Sequence, residues 1–160
     1  MRVNLRSNHF LAYPIVTSII CGRLFSICRF REVTGRYPEK ITMVSFTFKE
    51  TRFVTMHAAS LRWPLENFIF IGVDPDASTG FDLAASTQGE LENAAKPFES
   101  DPYGCHSKVL IEKRKSRDPF HRTAPYPLTC PEMKDILSFC GPELISPEKL
   151  PWKTRNRDPI

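Results

Sequence analysis

The stretch from Ile41 to Asp76 restricts the fold of this chain more than any other. It reads ITMVSFTF, then KETRFVTMHAASLRW, then PLENFIFIGVDPD. The first run is β-branched and aromatic, the second has helical spacing, and the third contains a short continuous apolar segment. Strand, helix, strand in that order predicts one βαβ unit of a parallel sheet. Ile41, Met43, Val44, Phe46 and Phe48 show no polar alternation, as expected of a strand apolar on both faces inside a helix-covered parallel sheet. Thr47-x-x-Glu50 fits a capping box, in which hydroxyl and carboxylate each satisfy an orphan backbone N–H. Phe53, Met56, Ser60 and Leu61 share one helical face. Pro64 stops the helix by forcing Trp63 out of helical geometry, and residues 68–73 form the second strand.

A ligand of an open α/β sheet sits beyond the carboxyl ends of its strands. Those ends carry Thr47, Lys49 and Arg52 on one side and Asp74 and Asp76 on the other. A helix N-terminus favours anions, and Lys49 and Arg52 add positive charge. The expected ligand is therefore a small anionic or nucleotide-like molecule near Lys49 and Arg52, with Asp74 contacting a hydroxyl or a divalent ion. The bland alternative leaves both cations in solvent and gives Asp74 the closing of a Pro turn. No Gly-rich loop precedes the helix, so the dinucleotide and P-loop fingerprints are absent. His57 lies at i+4 from Phe53 on the apolar face, two turns below the ligand rim; a packed, hydrogen-bonded histidine is expected there before a catalytic one.

A chain of 160 residues predicts one domain or part of one. Ten of the fourteen prolines fall after residue 80, so the C-terminal half is expected to be loop-rich. The net charge of +4 comes largely from Lys113-Arg114-Lys115 with Arg117 and does not by itself imply nucleic-acid binding. Five cysteines without a C-x-x-C pair predict neither a disulfide framework nor a zinc site. Free thiols in a reducing, cytoplasmic setting are the expectation. The cofactor is left open, and no cluster of metal-ligand spacing is found.

Arg2 and Arg6 precede Phe10–Cys21, an apolar run interrupted by Pro14. It resembles the n- and h-regions of a secretory signal, is too short for an ordinary membrane span, and has large residues before any cleavage point. The alternatives are a first strand of the sheet or an atypical N-terminus over residues 1–22. Arg23–Thr34 reads as a helix with a Leu24, Ile27, Cys28 and Arg31 stripe, stopped by Gly35. After Asp76 a loop leads to Thr87-x-x-Glu90, a second capping-box match opening a short helix over the strand ends, where lids occur. Asp101-Pro102 predicts a helix from Tyr103 to about Ser116, with Tyr103, His106, Val109 and Leu110 inward. Its basic last turns suit the negative end of the helix dipole, and a phosphate-rich partner is the sharper alternative. Cys105 reads as a small buried apolar residue. Residues 118–127 are a Pro-rich connection. Thr129-x-x-Glu132 predicts a third capped helix, with Met133, Ile136, Leu137 and Cys140 as its stripe and Gly141-Pro142 as its stop. Trp152 is expected to dock as a closing anchor, ahead of a charged tail over residues 153–160.

The ordered set LFSICRFREVTGRYPEKITMVSFTFKETRF…H…LRWP, FIFIGVDP, DPYGC…KRKSRDPFHR and CPE…CGPE…LPW resembles the C-terminal half of the eukaryotic, largely fungal branch of the ElyC/SanA/YdcF-like domain family. The resemblance covers residues 23–152 and implies a Rossmann-like α/β fold, with a partial parallel sheet, flanking helices and a loop-rich C-terminal part. The general activity of that family is unsettled. Lys49, Arg52 and His57 fall on its FKETRF…H segment. Members carry more sheet upstream and a polar Asp/Ser/Glu/Asn motif where this chain has TSIICGRLF, which implies a shortened domain. Two functions follow as expectations: a Rossmann-type ligand-binding domain, or a truncated, non-catalytic interaction module whose open sheet edge recruits a partner.

Overall fold

The computed structural model describes residues 19–117 and 124–152. The leader-like or strand reading of residues 10–18, most of the Pro-rich connection and the charged tail fall outside them. Helix α1, Ile19–Thr34, begins earlier than the sequence reading allowed, so the last residues of the apolar run are helical. Gly35 ends it with φ +73° and an amide bond back to the Arg31 carbonyl at 2.9 Å. Only glycine takes that left-handed geometry without steric cost.

Strands β1, Ile41–Ser45, and β2, Phe68–Gly72, pair in parallel, with Ile41 opposite Phe68 and Ser45 opposite Gly72. The connection is helical over residues 47–60: a 3-10 turn at Thr47–Lys49, a π-helical stretch at Arg52–His57, then α2, Ala58–Ser60. The expected βαβ unit is present. Among the described residues its sheet has two strands, and the architecture is mixed α/β with flanking helices.

The capping box at Thr47 does not form. Phe46 precedes the turn without a side-chain cap, and the Thr47 amide donates to Asp74 Oδ1 at 3.1 Å instead. β2 ends beside this turn because residue 72 is glycine: a Cβ there would lie 2.4 Å from Thr47 Oγ1. At the far end the helix closes on Arg62, at φ 50°, with the Trp63 amide bonded to the Ala58 carbonyl. The left-handed arginine is held by its own Nε, which donates to the Ile145 carbonyl at 3.0 Å.

Helix α3, Leu83–Glu90, is followed by a second π-helical stretch, Leu91–Ala95, and by α4, Lys96–Ser100. The Thr87 capping box also fails: Asp82 caps α3 by accepting from the Ala85 amide, which leaves Thr87 inside the helix. Helix α5, Lys108–Arg117, starts five residues later than predicted. Asp101 takes the amides of Cys105, His106 and Ser107 at 3.0, 2.8 and 2.7 Å, and Gly104 turns at φ +66°, so the chain loops before it coils. His106 is consequently exposed rather than inward. Helices α6, Tyr126–Thr129, and α7, Lys134–Ser138, flank a 3-10 turn at Pro131–Met133 without the predicted Thr129 cap. In all three boxes a neighbouring residue already meets the need: an aspartate (Asp74, Asp82) or a preceding helical turn.

The core joins Leu24, Ile27 and Cys28 of α1 to Phe53, Ala58 and Leu61 of the crossover. Met133, Ile136, Ile145 and Leu150 close it from the C-terminal side. Burial at that scale, at roughly 1.5–3 kcal/mol per large apolar side chain, is what holds so short a sheet. Tyr103 bolts the layers together: its hydroxyl donates to the Ser60 carbonyl at 3.0 Å and accepts from the Ile145 amide at 2.9 Å. Trp152 packs tilted against Trp63, ring centres 5.3 Å apart, and donates to the Leu61 carbonyl, as its position led us to expect. Only one face of the sheet meets this core. Val44, Ile69, Ile71 and Val73 are 39–60% exposed on the other, so the two-sided burial anticipated for β1 is not found among the described residues.

The cysteines correct the sequence reading. Cys105 and Cys140 form a disulfide with Cα atoms 5.7 Å apart. Cys28 and Cys130 are buried thiols.

Candidate functional site

A cavity of about 640 Å³ opens where the crossover leaves β1. Its floor is Phe46, Phe48, Lys49, Arg52 and Phe53; one wall is Ser86, Gly89, Glu90, Asn93 and Ala94; the other is Val109, Lys113 and Arg117 of α5. The two π-helical stretches meet here. Wider turns carry an extra residue per turn and recur at functional sites; in this chain one precedes α2 through the Ala58 amide bond to Phe53 and the other follows Glu90.

Arg52 is 4% exposed, and its charge is answered from within. Its Nε donates to Glu90 Oε1, its Nη1 donates to His57 Nε2 at 2.8 Å, and its plane lies 4.6 Å from the Phe53 ring centre. Arginine offers no acceptor, so His57 Nε2 accepts here and the ring proton sits on Nδ1. The imidazole is fully buried between Phe53 and Phe98. His57 is a packed residue beneath the floor, not a group that reaches the cavity.

Lys49 is different. Its ammonium lies 4.9 Å from the Phe46 ring centre and 5.4 Å from that of Phe48, and Phe81 stacks on both rings at 5.5 and 6.4 Å. Three near-parallel rings form the mouth, with the Lys49 ammonium over the faces of Phe46 and Phe48. Opposite, Lys113 Nζ donates to the Asn93 carbonyl at 2.7 Å. Burial pushes the Lys113 ammonium below its ordinary value, and the positive charges of Arg117, Arg52 and Lys49 push the same way against the pull of Glu90. The lining thus holds four cations and one carboxylate, and that carboxylate already belongs to Arg52. Among the described residues no carboxylate forms an ion pair with Lys49, Lys113 or Arg117.

Of the five residues singled out from sequence, Lys49 and Arg52 line the cavity, whereas Thr47, His57 and Asp74 do not. Asp74 commits an oxygen to the Thr47 amide, so the first N–H of the helix is already occupied. The positive charge of the site therefore comes from side chains. Lys113 and Arg117 were explained from sequence by the helix dipole; their i, i+4 spacing, which puts them on one face of α5, was the available signal. Phe81 carried none, and Glu90 was read as the carboxylate of a capping box. The segment expected over the strand ends does lie there, as Phe81 and the α3 wall. No cluster of three or more His, Cys, Asp or Glu side chains fit to hold a metal occurs among the described residues. No helix among them is long and apolar enough to cross a membrane.

A parallel strand–helix–strand unit with a basic, aromatic-rimmed cavity at the strand ends defines the class of protein as mixed α/β. Among known proteins the chain is 40% identical over 109 residues to a protein of Saccharomyces cerevisiae described as "Uncharacterized protein YOR238W". The match takes in 64% of this chain and 36% of the yeast protein, so the chain spans about a third of its relative's length. No family model and no solved structure matches.

Proposed function

We propose that the chain binds a small phosphate-bearing, nucleotide-like anion in the cavity between the crossover helix and α5. The observation that carries this reading is the charge imbalance: Lys49, Lys113 and Arg117 surround one space with no acid of their own among the described residues. Like charges held together in a partly desolvated pocket are costly without a counter-ion, and an anion there relieves the repulsion. The rings of Phe46, Phe48 and Phe81 give a planar base something to stack against. Site size is adequate, since small-molecule pockets run from roughly 300 to 1,000 Å³. The parallel unit and the location of the cavity at its strand ends support a Rossmann-like reading and the kinship with the ElyC/SanA/YdcF-like family.

Calorimetric titration with ADP and with inorganic phosphate tests it. ADP binds more tightly than phosphate, the affinity falls with added salt, and Lys113→Ala weakens ADP binding about tenfold, the loss of one charge-assisted contact. Equal ADP affinity in wild type and in Lys49→Ala/Lys113→Ala rejects the site.

The bare sheet face favours a second reading, an interaction module. Val44, Ile69, Ile71 and Val73 form a contiguous apolar patch of the kind that marks a protein contact. A concentration-dependent elution volume in size-exclusion chromatography supports that reading; a monomer at all concentrations counts against self-association.

A further inference from the structure

We propose that the Cys105–Cys140 disulfide is a redox control on this anion site; the inference rests on the ligand reading above. The two cysteine pairs of the described residues differ in access. Cys28 and Cys130 are fully buried, their thiols touch, and burial pushes both above the usual thiol range, Cys28 far above it, so they are inert. Cys105 is half-buried and Cys140 exposed, so a small thiol can reach this bond.

Its position ties it to the cavity. Cys105 lies three residues before α5, the helix that delivers Val109, Lys113 and Arg117. Cys140 lies two residues beyond α7. His106 Nε2 meets the Cys140 carbonyl at 2.8 Å, and Arg114 of α5 donates back to the Gly104 carbonyl. The bond thus fastens the root of α5 to the C-terminal segment, whereas Lys49 stands on the crossover and does not depend on it. Leu110 is the buried apolar anchor of α5, Ile111 is half-buried, and Val109, Lys113 and Arg117 line the cavity. With one buried residue among its ten, the helix leans on its root for position.

The chemistry is ordinary exchange. Two molecules of a low-molecular-weight thiol such as glutathione give up two electrons and two protons to the Cys105–Cys140 bond, leaving two cysteine thiols and one glutathione disulfide; oxidised glutathione reverses the reaction. Oxidised, α5 holds Lys113 and Arg117 opposite Lys49. Reduced, its root loosens and the three cations no longer converge.

The test titrates ADP into full-length protein poised with oxidised or reduced glutathione, and follows amide hydrogen exchange of residues 108–117 in parallel. Reduction is expected to weaken ADP binding about tenfold, within the usual range of coupling between sites, and to speed exchange in 108–117 but not in 50–60. Cys105→Ser/Cys140→Ser reproduces the reduced affinity and loses its response to glutathione, while Cys28→Ser keeps it. ADP binding equal in both redox states sinks the control and leaves the site standing. ADP binding in neither state sinks the site; exchange in 108–117 then decides whether the bond governs α5, and unchanged exchange rejects that too.

Discussion

Two parts of this molecule bring charge out of bulk water, and they do it in opposite ways. In the loop before α5, the Asp101 carboxylate is 3% exposed and accepts three backbone N–H bonds. Burial alone would raise its proton affinity, yet the Ser107, His106 and Cys105 amides outweigh it and hold the carboxyl below the usual range. In the cavity, Lys49, Lys113 and Arg117 converge with no acid among the described residues to answer them. Arg52 shows that the contrast runs through the cavity itself, because its charge is answered by Glu90. Burial of a charge is therefore no mark of function in this chain. Under the proposed reading, a charge left without its opposite is.

The contrast predicts a graded set of effects. Arg52→Ala removes one half of a buried pair and leaves Glu90 unanswered, so it should cost about 3–5 kcal/mol in urea unfolding; a loss below about 1 kcal/mol would move Arg52 into the ligand-binding class. Asp101→Ala orphans three amides and should cost about 2–3 kcal/mol. Because the folded carboxyl titrates below its unfolded value, its stabilisation is present above the unfolded value and disappears as pH falls through the folded one. Asp101→Asn should flatten that acid limb in a pH series of unfolding curves. Gly72→Ala drives a methyl into Thr47 and should cost about 1–3 kcal/mol.

Lys49→Ala and Lys113→Ala should change stability by less than about 0.5 kcal/mol while lowering ADP affinity. Lys113 sharpens the comparison further. Its folded proton affinity is depressed, so its charge costs stability below the folded value and that cost is relieved as pH rises through it. A bound anion reverses the sign. ADP binding should take up protons on the alkaline side and weaken as Lys113 loses its charge, a trend calorimetry in two buffers would detect and Lys113→Ala would abolish.

What was legible in the sequence follows from the length scale of each signal. Ile41–Ser45 and Phe68–Gly72 were readable because runs of β-branched and aromatic residues have few other uses. The α1 stripe of Leu24, Ile27 and Cys28 was readable because helical periodicity records burial directly. Lys49 and Arg52 were found by their place after a strand, but their different roles were not, since Glu90 lies 38 residues from Arg52 in sequence. The capping boxes misled because the pattern is short: Asp74 takes the Thr47 amide, and Asp82 starts α3 earlier by accepting from Ala85, which puts Thr87 inside the helix. The disulfide was hidden because pairing depends on Cα separation, which a fold sets and a spacing of 35 residues does not.

The most direct measurement is the map of backbone amide shifts in a nitrogen–proton NMR titration with ADP. Shifts clustered in residues 46–53, 86–94 and 109–117, with the Asp101 loop unmoved, are the predicted result. Saturating shifts confined to the bare face around Val44 and Ile71, or no saturable shifts at all, would contradict an anion site built on Lys49, Lys113 and Arg117.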